Sequence, residues 1–422
     1  MVIDNFFIRN LDFDTIPIDE EWSLPKRRED RIHTIHAYPA KFPAFITSKA
    51  IEKCEGLQIH VESISDIFCG CGTVAYESVS NGIDFWGYDI NPVATLIART
   101  KSREYNHDAL VETFKEIKEN FKVGELNKNY NFLINDRIKY WFFPEQIEKL
   151  SILRDAIFQS VKNDIEKDFF LCAFSNILKS CSRWLTKSIK PQLDPNKVPK
   201  DVRLAFETQV NLMIKAVSEI EGIKGKSHIK TQNILLEEIT EPFIDLLVTS
   251  PPYVTSYEYA DLHQLSTLWL GLAEDYRVFR EGSIGSLHGS EEFEKNRDKL
   301  NQTGKEVVDA LFSRDKGKAK SVAQYYVDMQ LASTKVGKML KDNGAACFVI
   351  GNTSYKGIHM DNAKHLSESL FEVGFVDQEI ARRKISYKIL TPYRDEKGKF
   401  SKDAKGSRKV YSEEFVIFAK KK

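Results

Sequence analysis

No run in the 422 residues is long and apolar enough to suggest a membrane span. The longest, "DFFLCAF" (168–174) and "AACFVI" (345–350), fall far short of the roughly 20 residues a spanning helix needs. The acidic start "MVIDNFF" also lacks the charged-then-apolar form of a secretory signal, so the expectation is a soluble, cytoplasmic chain. There is no CxxC among the six cysteines. The closest two, Cys69 and Cys71, sit inside a glycine-rich turn without zinc-ligand spacing, and all six read as reduced thiols. His33 and His36 flank a basic loop with no third ligand at metal spacing; they read as hydrogen-bonded loop residues, and no metal is expected. Lys plus Arg equals Asp plus Glu at 61 each, which removes the global basic excess of many nucleic-acid binders. Internal repeats and low-complexity tracts are missing too, while 42% apolar content is enough for one large core or two ordinary ones.

Charge is uneven locally. Ala381 to Val410 holds eleven Lys or Arg against three acids, and Ile177 to Lys200 six against one, with Tyr387, Tyr393, Phe400 and Trp184 close by. Solvated loops are the ordinary explanation, and a phosphate-facing surface is the functional one.

The clearest pattern runs from Ser63 to Lys101. It reads as a strand (Ser63 to Phe68), a glycine turn (Gly70, Gly72), a helix (Thr73 to Ser80), a stop at Gly82, a strand (Phe85 to Tyr88) and a helix from Pro92. A right-handed βαβ unit of this kind brings Asp66 and the turn beside Asp89 at the carboxyl edge of a parallel sheet. A helical stretch follows from about Leu96 to Glu221, with Tyr140-Trp141-Phe142-Phe143 as an aromatic knot read as core. Strands resume at "HIKTQNI" and "IDLLVT" (Ile244–Thr249), then a helix over Asp261 to Leu272. The charged stretch from Glu274 to about Lys318 reads as a loop or a recognition insert, followed by a long helix, Val322 to Leu340, stopped by "KDNG". The strand "AACFVI" and a last strand pair, "FVDQEIARRK" and "EEFVIFAKK", bring the count to about seven in an open α/β sheet.

Two motifs carry chemistry. In "DIFCGCGT" the Gly-x-Gly turn lets the backbone approach a ligand, and Asp89 of "YDINP" is placed to bind two ribose hydroxyls. With Ala75 as the third fingerprint position, this segment alone also admits a nicotinamide site. The second motif, "TSPPY" (Thr249–Tyr253), ends a later strand on the same edge, where two prolines terminate the ladder. As a bare loop it is ordinary. Facing the glycine turn, it suits methylation of an exocyclic amine: acceptors at the Ser250 hydroxyl and the Pro251 carbonyl would favour a pyramidal nitrogen whose lone pair points at the methyl donor. Pro252 would hold the geometry, and Tyr253 would offer a flat face to a base that has left its stack.

With those residues in place, the chain resembles the S-adenosylmethionine-dependent DNA amino-methyltransferases, in particular the bacterial N4-cytosine group. The resemblance rests on "HAYPAKFPAFI" (36–46), "DIFCGCGT" with "GYDINPVA", and "TSPPYVTSYEYADLHQLSTLWLG" (249–271). It implies a Rossmann-like methyltransferase fold: an open, mostly parallel seven-stranded sheet with a carboxy-terminal antiparallel strand, plus a helical insertion. Residues 1–95 would hold the first half of the core, 96–226 the helical insert, a candidate for target recognition, and 227–422 the second half with an inserted charged loop at about 274–318. S-adenosylmethionine would lie against Asp66, Phe68, Gly70, Gly72 and Thr73. Asp89 and Asn91 would serve the ribose, Lys41, Phe42 and Pro43 the carboxylate side, and Gln232 and Asn233 the adenine. Ser250, Pro251, Pro252 and Tyr253 would hold the target base. Double-stranded DNA is the implied substrate and a cognate restriction endonuclease the implied partner.

The family pattern is departed from in two places. Cys71 replaces a small residue, and Gln232 with Asn233 stands where an acid is expected before the strand into TSPPY. In the family, Ser at the first motif position goes with N4-cytosine and Asp with N6-adenine. Methylation at cytosine C5 is excluded, since it needs a nucleophilic Cys, usually in a Pro-Cys pair, and no Cys here follows a Pro. Other readings are an N6-adenine or RNA amino-methyltransferase of the same fold and a non-catalytic nucleic-acid-binding relative. Tyr257, Glu258, Tyr259 and His263 are further candidates to line the pocket. The insert, the charged stretch and the basic run near Arg382 to Lys409 are candidates for target recognition.

Overall fold

A computed structural model describes residues 8, 10–23, 28–126, 135–220, 222–254, 258–286, 292–385, 393–394, 400–401, 408–409 and 413–422. Its centre is one seven-stranded sheet. The strands are β1 (Ser63–Asp66), β2 (Asp84–Asp89), β3 (Ser227–Thr231), β4 (Ile244–Thr249), β5 (Leu340–Ile350), β6 (Asp377–Lys384) and β7 (Glu413–Lys420). Their spatial order is β3-β2-β1-β4-β5-β7-β6. The first five run parallel, and β7 lies antiparallel between β5 and β6. This is a Rossmann-like methyltransferase fold, and its strand order reverses between β1 and β4, so the crevice beyond the carboxyl ends of those two strands is the natural ligand site.

Local chemistry sets the first unit. Helix α1 (Ala44–Gly56) starts after Pro43, and α2 (Thr73–Ser80) begins at the glycine turn. Helix α3 (Pro92–Lys101) is opened by Asn91, whose Oδ1 accepts from the N–H groups of Val93 (3.0 Å) and Ala94 (3.4 Å), with Pro92 at the first helical position. Strand β1 stops at Asp66, two residues earlier than its apolar run suggests, because Phe68 N–H turns back to the Asp66 carboxylate at 3.0 Å.

Among the described residues the insert holds α4 (His107–Glu125), α5 (Asp136–Trp141), α6 (Pro144–Ser160), α7 (Asp164–Leu178) and α8 (Val202–Ser218). Their apolar faces share one continuous cluster with Tyr76, Val93, Leu96 and Ile97 of the first unit. Arg99 of α3 and Arg103 also grip Asp168 of α7 at 2.7 and 2.8 Å. In the aromatic knot, Trp141 and Phe142 are buried, but Tyr140 and Phe143 reach the surface. Part of the Ile177 to Lys200 run is folded onto itself, while Lys187, Lys190 and Lys200 are exposed. Lys179 Nζ donates to Ser188 O (2.8 Å) and Lys197 Nζ to the carbonyls of Lys179 and Trp184 (2.7 Å each), so both ammonium groups hold the segment's own backbone.

Beyond β4 come α9 (Tyr259–Leu262) and α10 (Gln264–Trp269), which divide the single expected helix at His263. The charged stretch after them is not simply a loop. It contains a 3-10 turn (Tyr276–Arg280), α11 (Phe293–Lys299) and α12 (Gln302–Phe312), and Val307, Val308 and Leu311 enter the second core cluster, on α13 (Lys316–Met339) and α14 (Asn362–Glu372). "KDNG" does not cap α13 as a turn outside the sheet. It lies within β5, where Asn343 takes a left-handed φ of 63° and the register with β4 jumps from Ile244↔Leu340 to Leu246↔Ala345. Tyr387 and most of the basic run after Arg382 lie outside the described residues, as does Tyr257; Tyr393 and Phe400 are described only as backbone in short strands.

No helix among the described residues is long and apolar enough to cross a membrane. All six cysteines are buried and free.

Candidate functional site

Gly70 and Gly72 both have positive φ, 48° and 72°. A side chain at 72 would put Cβ at 2.5 Å from Ala98 Cα, so glycine is what allows α3 to pack against the turn. A Cβ at 70 would touch the Tyr38 hydroxyl at 3.4 Å; this tyrosine of the "HAYPAKFP" segment therefore lies over the turn.

Asp66 and Asp89 meet at this turn. Asp89 Oδ2 accepts from Gly70 N–H and Oδ1 from Asn91 N–H, both at 2.8 Å. Asp66 Oδ1 accepts from Phe68 N–H (3.0 Å) and from the Thr249 hydroxyl (2.5 Å). That last bond ties the glycine turn directly to the strand that ends in TSPPY. Burial raises Asp66 to about 7, against the pull of its two hydrogen bonds, with the nearby Asp89 adding to the rise. Asp89 is raised to about 6, also by burial. Two carboxylates held high by burial suit a ligand bearing positive charge, and their remaining lone pairs suit hydroxyl donors.

The other expected cofactor residues fall around this pair. Thr73 is buried at the start of α2 and Phe68 is half-buried. Gln232 N–H donates to Asp89 O at 2.9 Å, and its side chain is exposed at the end of β3. The Asn233 amide is committed to structure: its oxygen accepts from Leu235 N–H (2.9 Å) and its nitrogen donates to Gly282 O (3.0 Å). Lys41 forms an ion pair with Glu29, which also accepts from Ala44 N–H at 3.2 Å and so caps α1. Phe42 packs on the core beside α1, and Pro43 opens that helix.

TSPPY lies where β4 leaves the sheet. The Ser250 hydroxyl donates to Val349 O of β5 at 2.9 Å. With its proton so placed, the oxygen is left to accept. Pro251 is buried and Pro252 half-buried. Tyr253 donates its hydroxyl to Glu414 Oε2 at 2.8 Å. Its ring lies against Gly351, where an added Cβ would come within 3.0 Å of Cε2. Burial and the Glu414 carboxylate hold the phenol well above its usual range, so it stays a donor.

Tyr259 and His263 do come to this region, while Glu258 is exposed at the start of α9. Tyr38 stacks on Tyr259 at 5.7 Å and packs on His263 at 5.2 Å. Asn91 Nδ2 donates to His263 Nδ1 at 2.8 Å, which places the ring proton on Nε2. Burial keeps this imidazole neutral, its pKa pushed down to about 3. His33 bonds Glu77 (2.9 Å) and His36 bonds Ser175 (2.9 Å), both as hydrogen-bonded residues. Among the described residues no cluster of His, Cys, Asp or Glu forms a metal site.

Tyr38, Thr249, Val349, Gly351, Arg383 and Glu414 were not singled out by sequence. Tyr38 and Thr249 lie inside quoted motifs and could have been found there. The others reach the site through strand pairing and carry no local signature.

No protein-family model matches the chain. Among characterised proteins it is similar to the Type II methyltransferase M.MvaI of Kocuria varians, 25% identical over 379 residues that cover 82% of each chain. M.AvaI of Nostoc sp., also named a Type II methyltransferase, is 25% identical over 76% of this chain and 74% of its own. M.BsoBI of Geobacillus stearothermophilus, named likewise, is 24% identical over 79% and 77%. A solved TehB-like methyltransferase from Corynebacterium glutamicum covers 89% of the chain and 87% of its own at 10% identity, but with a TM-score of 0.27 it carries no weight. Fold and relatives together support a methyltransferase.

Proposed function

We propose that this chain is a DNA methyltransferase that moves a methyl group from S-adenosylmethionine to the N4 amine of a cytosine flipped out of the duplex. The similarity to enzymes named Type II methyltransferases supports a role as the modification partner of a restriction endonuclease. The observation that carries the choice of an exocyclic amine is the Ser250 hydroxyl. Its hydrogen is committed to Val349 O, so toward the pocket it offers only lone pairs.

The cofactor, when bound, supplies a methyl group on a positively charged sulfur. Asp66 and Asp89 give that charge and the ribose hydroxyls an anionic, hydrogen-bonding wall. Ser250 Oγ and the Pro251 carbonyl receive the two amine N–H groups, which favours a lone pair directed at the methyl carbon. Methyl transfer would leave the nitrogen with one proton too many; the Ser250 hydroxyl, its own hydrogen held by Val349 O, would orient that N–H without taking the proton, which would leave to water. The Thr249–Asp66 bond, between the end of β4 and the end of β1, sets the distance between donor and base. Tyr253 stacks on the base, recovering about 1–3 kcal/mol of lost stacking.

The test is transfer of labelled methyl from S-adenosylmethionine to unmethylated genomic DNA and to total RNA in parallel. Label in DNA is the expected result. Label in RNA alone would move the chain to RNA, and cofactor binding without transfer would make it a non-catalytic relative.

A further inference from the structure

Tyr253 does not stand by itself. Glu414 receives the Tyr253 hydroxyl on Oε2 at 2.8 Å and Arg383 Nη1 on Oε1 at 2.6 Å. Glu414 and Arg383 are register partners across β7 and β6, so they share one face of the sheet. Both are deeply buried, at 8% and 1% exposure. The Arg383 guanidinium lies over the Phe45 ring of α1, 5.4 Å from its centroid.

We infer that Glu414 and Arg383 are positioning residues for the target base, acting through Tyr253, an assignment that rests on the function proposed above. Three features carry it. Both Glu414 oxygens accept, so an amide keeps both contacts only if its oxygen takes Arg383 and the phenol turns to accept from its NH2, which replaces two charge-assisted bonds by weaker neutral ones. The bond to Glu414 restrains the Tyr253 ring at its far end, while Gly351 leaves room for its edge, so the ring plane is fixed before a base arrives. Arg383 in turn neutralises a carboxylate that would otherwise be buried alone behind the Tyr253 hydroxyl. A phenylalanine at 253 would keep the stacking face but lose this restraint, which explains why the position holds a phenol rather than a plain ring.

The neighbouring pair supplies the control. Glu413 bonds Arg382, which also holds the backbone of Asp14 and Ile16, and alternation along β7 puts Glu413 on the face opposite Glu414. Glu413→Gln removes a carboxylate one residue away without touching the base turn.

The experiment measures single-turnover methyl transfer to unmethylated genomic DNA, with labelled S-adenosylmethionine already bound and rates expressed per cofactor-binding site. Loss of a hydrogen bond to a charged group corresponds to roughly a tenfold to hundredfold slower step. Glu414→Gln and Tyr253→Phe should each slow transfer by that factor with unchanged cofactor affinity. The double variant should be no slower than Tyr253→Phe within about twofold, since both changes act on one bond and Tyr253→Phe already removes it, and Glu413→Gln should match the wild type. A purely structural role would lower the melting temperature of Glu414→Gln and leave its rate per cofactor site intact, which would overturn the assignment. Should Glu414→Gln fail to fold, Tyr253→Phe decides alone: a wild-type rate sinks the proposal, a slowed one supports it. A wild-type protein that transfers nothing to DNA would overturn the proposed function and this assignment together, an outcome distinct from active wild type with unaffected variants.

Discussion

Replacing Asp66 by asparagine removes a buried charge while leaving its contacts in place. Oδ1 takes both of its hydrogen bonds, from Phe68 N–H and the Thr249 hydroxyl, so an amide oxygen can accept the same two. Burial raises this carboxyl to about 7 in the folded protein, against about 4 in an unfolded chain. The sign follows from proton uptake. Between those two values the folded state holds more protons than the unfolded one, so this group's contribution to stability falls as pH rises from about 4 to about 7. At 1.36 kcal/mol per pH unit, the ionised carboxylate costs the folded protein about 4 kcal/mol by pH 8. Asp66→Asn should therefore stabilise the cofactor-free protein at pH 8 by up to about that amount, and by much less at pH 5. Four buried histidines oppose this trend in the wild type: His33, His263 and His365, lowered to about 3, and His36, lowered to about 4, cost stability as pH falls below about 6.5. The readout is accordingly the mutant-minus-wild-type difference in urea midpoint at the two pH values, in which the histidines cancel. A variant less stable than the wild type at pH 8, or a difference that does not change with pH, would refute the reasoning. The same change should weaken cofactor binding, the expected trade between a functional charge and stability.

Four further outcomes are expected. Ser250→Ala combined with Tyr253→Ala should abolish methyl transfer yet retain S-adenosylmethionine binding by calorimetry; an active double mutant would sink the base-site assignment. Gly72→Ala should lower stability by about 1–3 kcal/mol and weaken cofactor binding, because it forces a Cβ to within 2.5 Å of Ala98 at positive φ. Cofactor affinity should fall as pH is lowered through 7 to 6, where Asp66 and Asp89 take up protons, and titration across that range checks it. Asn91→Ala should cost about 1 kcal/mol through the lost cap of α3, read as a lower melting temperature, and should leave His263 Nδ1 without its donor.

The parts of this molecule legible in sequence are those set by neighbours along the chain. Gly70, Gly72, Gly82, Asn91 and Pro92 punctuate the chain through their local conformation, whatever they meet farther off, and the βαβ unit they bound forms as read, apart from the early end of β1 at Asp66. "IDLLVT" is a strand over the range its β-branched composition implies. What was hidden depends on tertiary partners. The charged face of 293–312 masked helices whose apolar side is narrow, and "KDNG" looked like a helix stop because the irregular pairing of β5 with β4 is invisible in one strand alone. Asn233 looked available to a ligand until Gly282 came back to it across the fold. Arg383 and Glu414 read only as members of the last strand pair, "FVDQEIARRK" and "EEFVIFAKK", and it takes the β6–β7 register to bring them together at Tyr253.

Nucleoside mass spectrometry of DNA methylated by the purified protein tests the central claim most directly, because the modified atom reports the chemistry of the Ser250 turn. The account predicts N4-methylcytosine. N6-methyladenine would keep the amine mechanism and discard the reading of Ser250, whereas 5-methylcytosine, or no methylated base at all, would contradict the account.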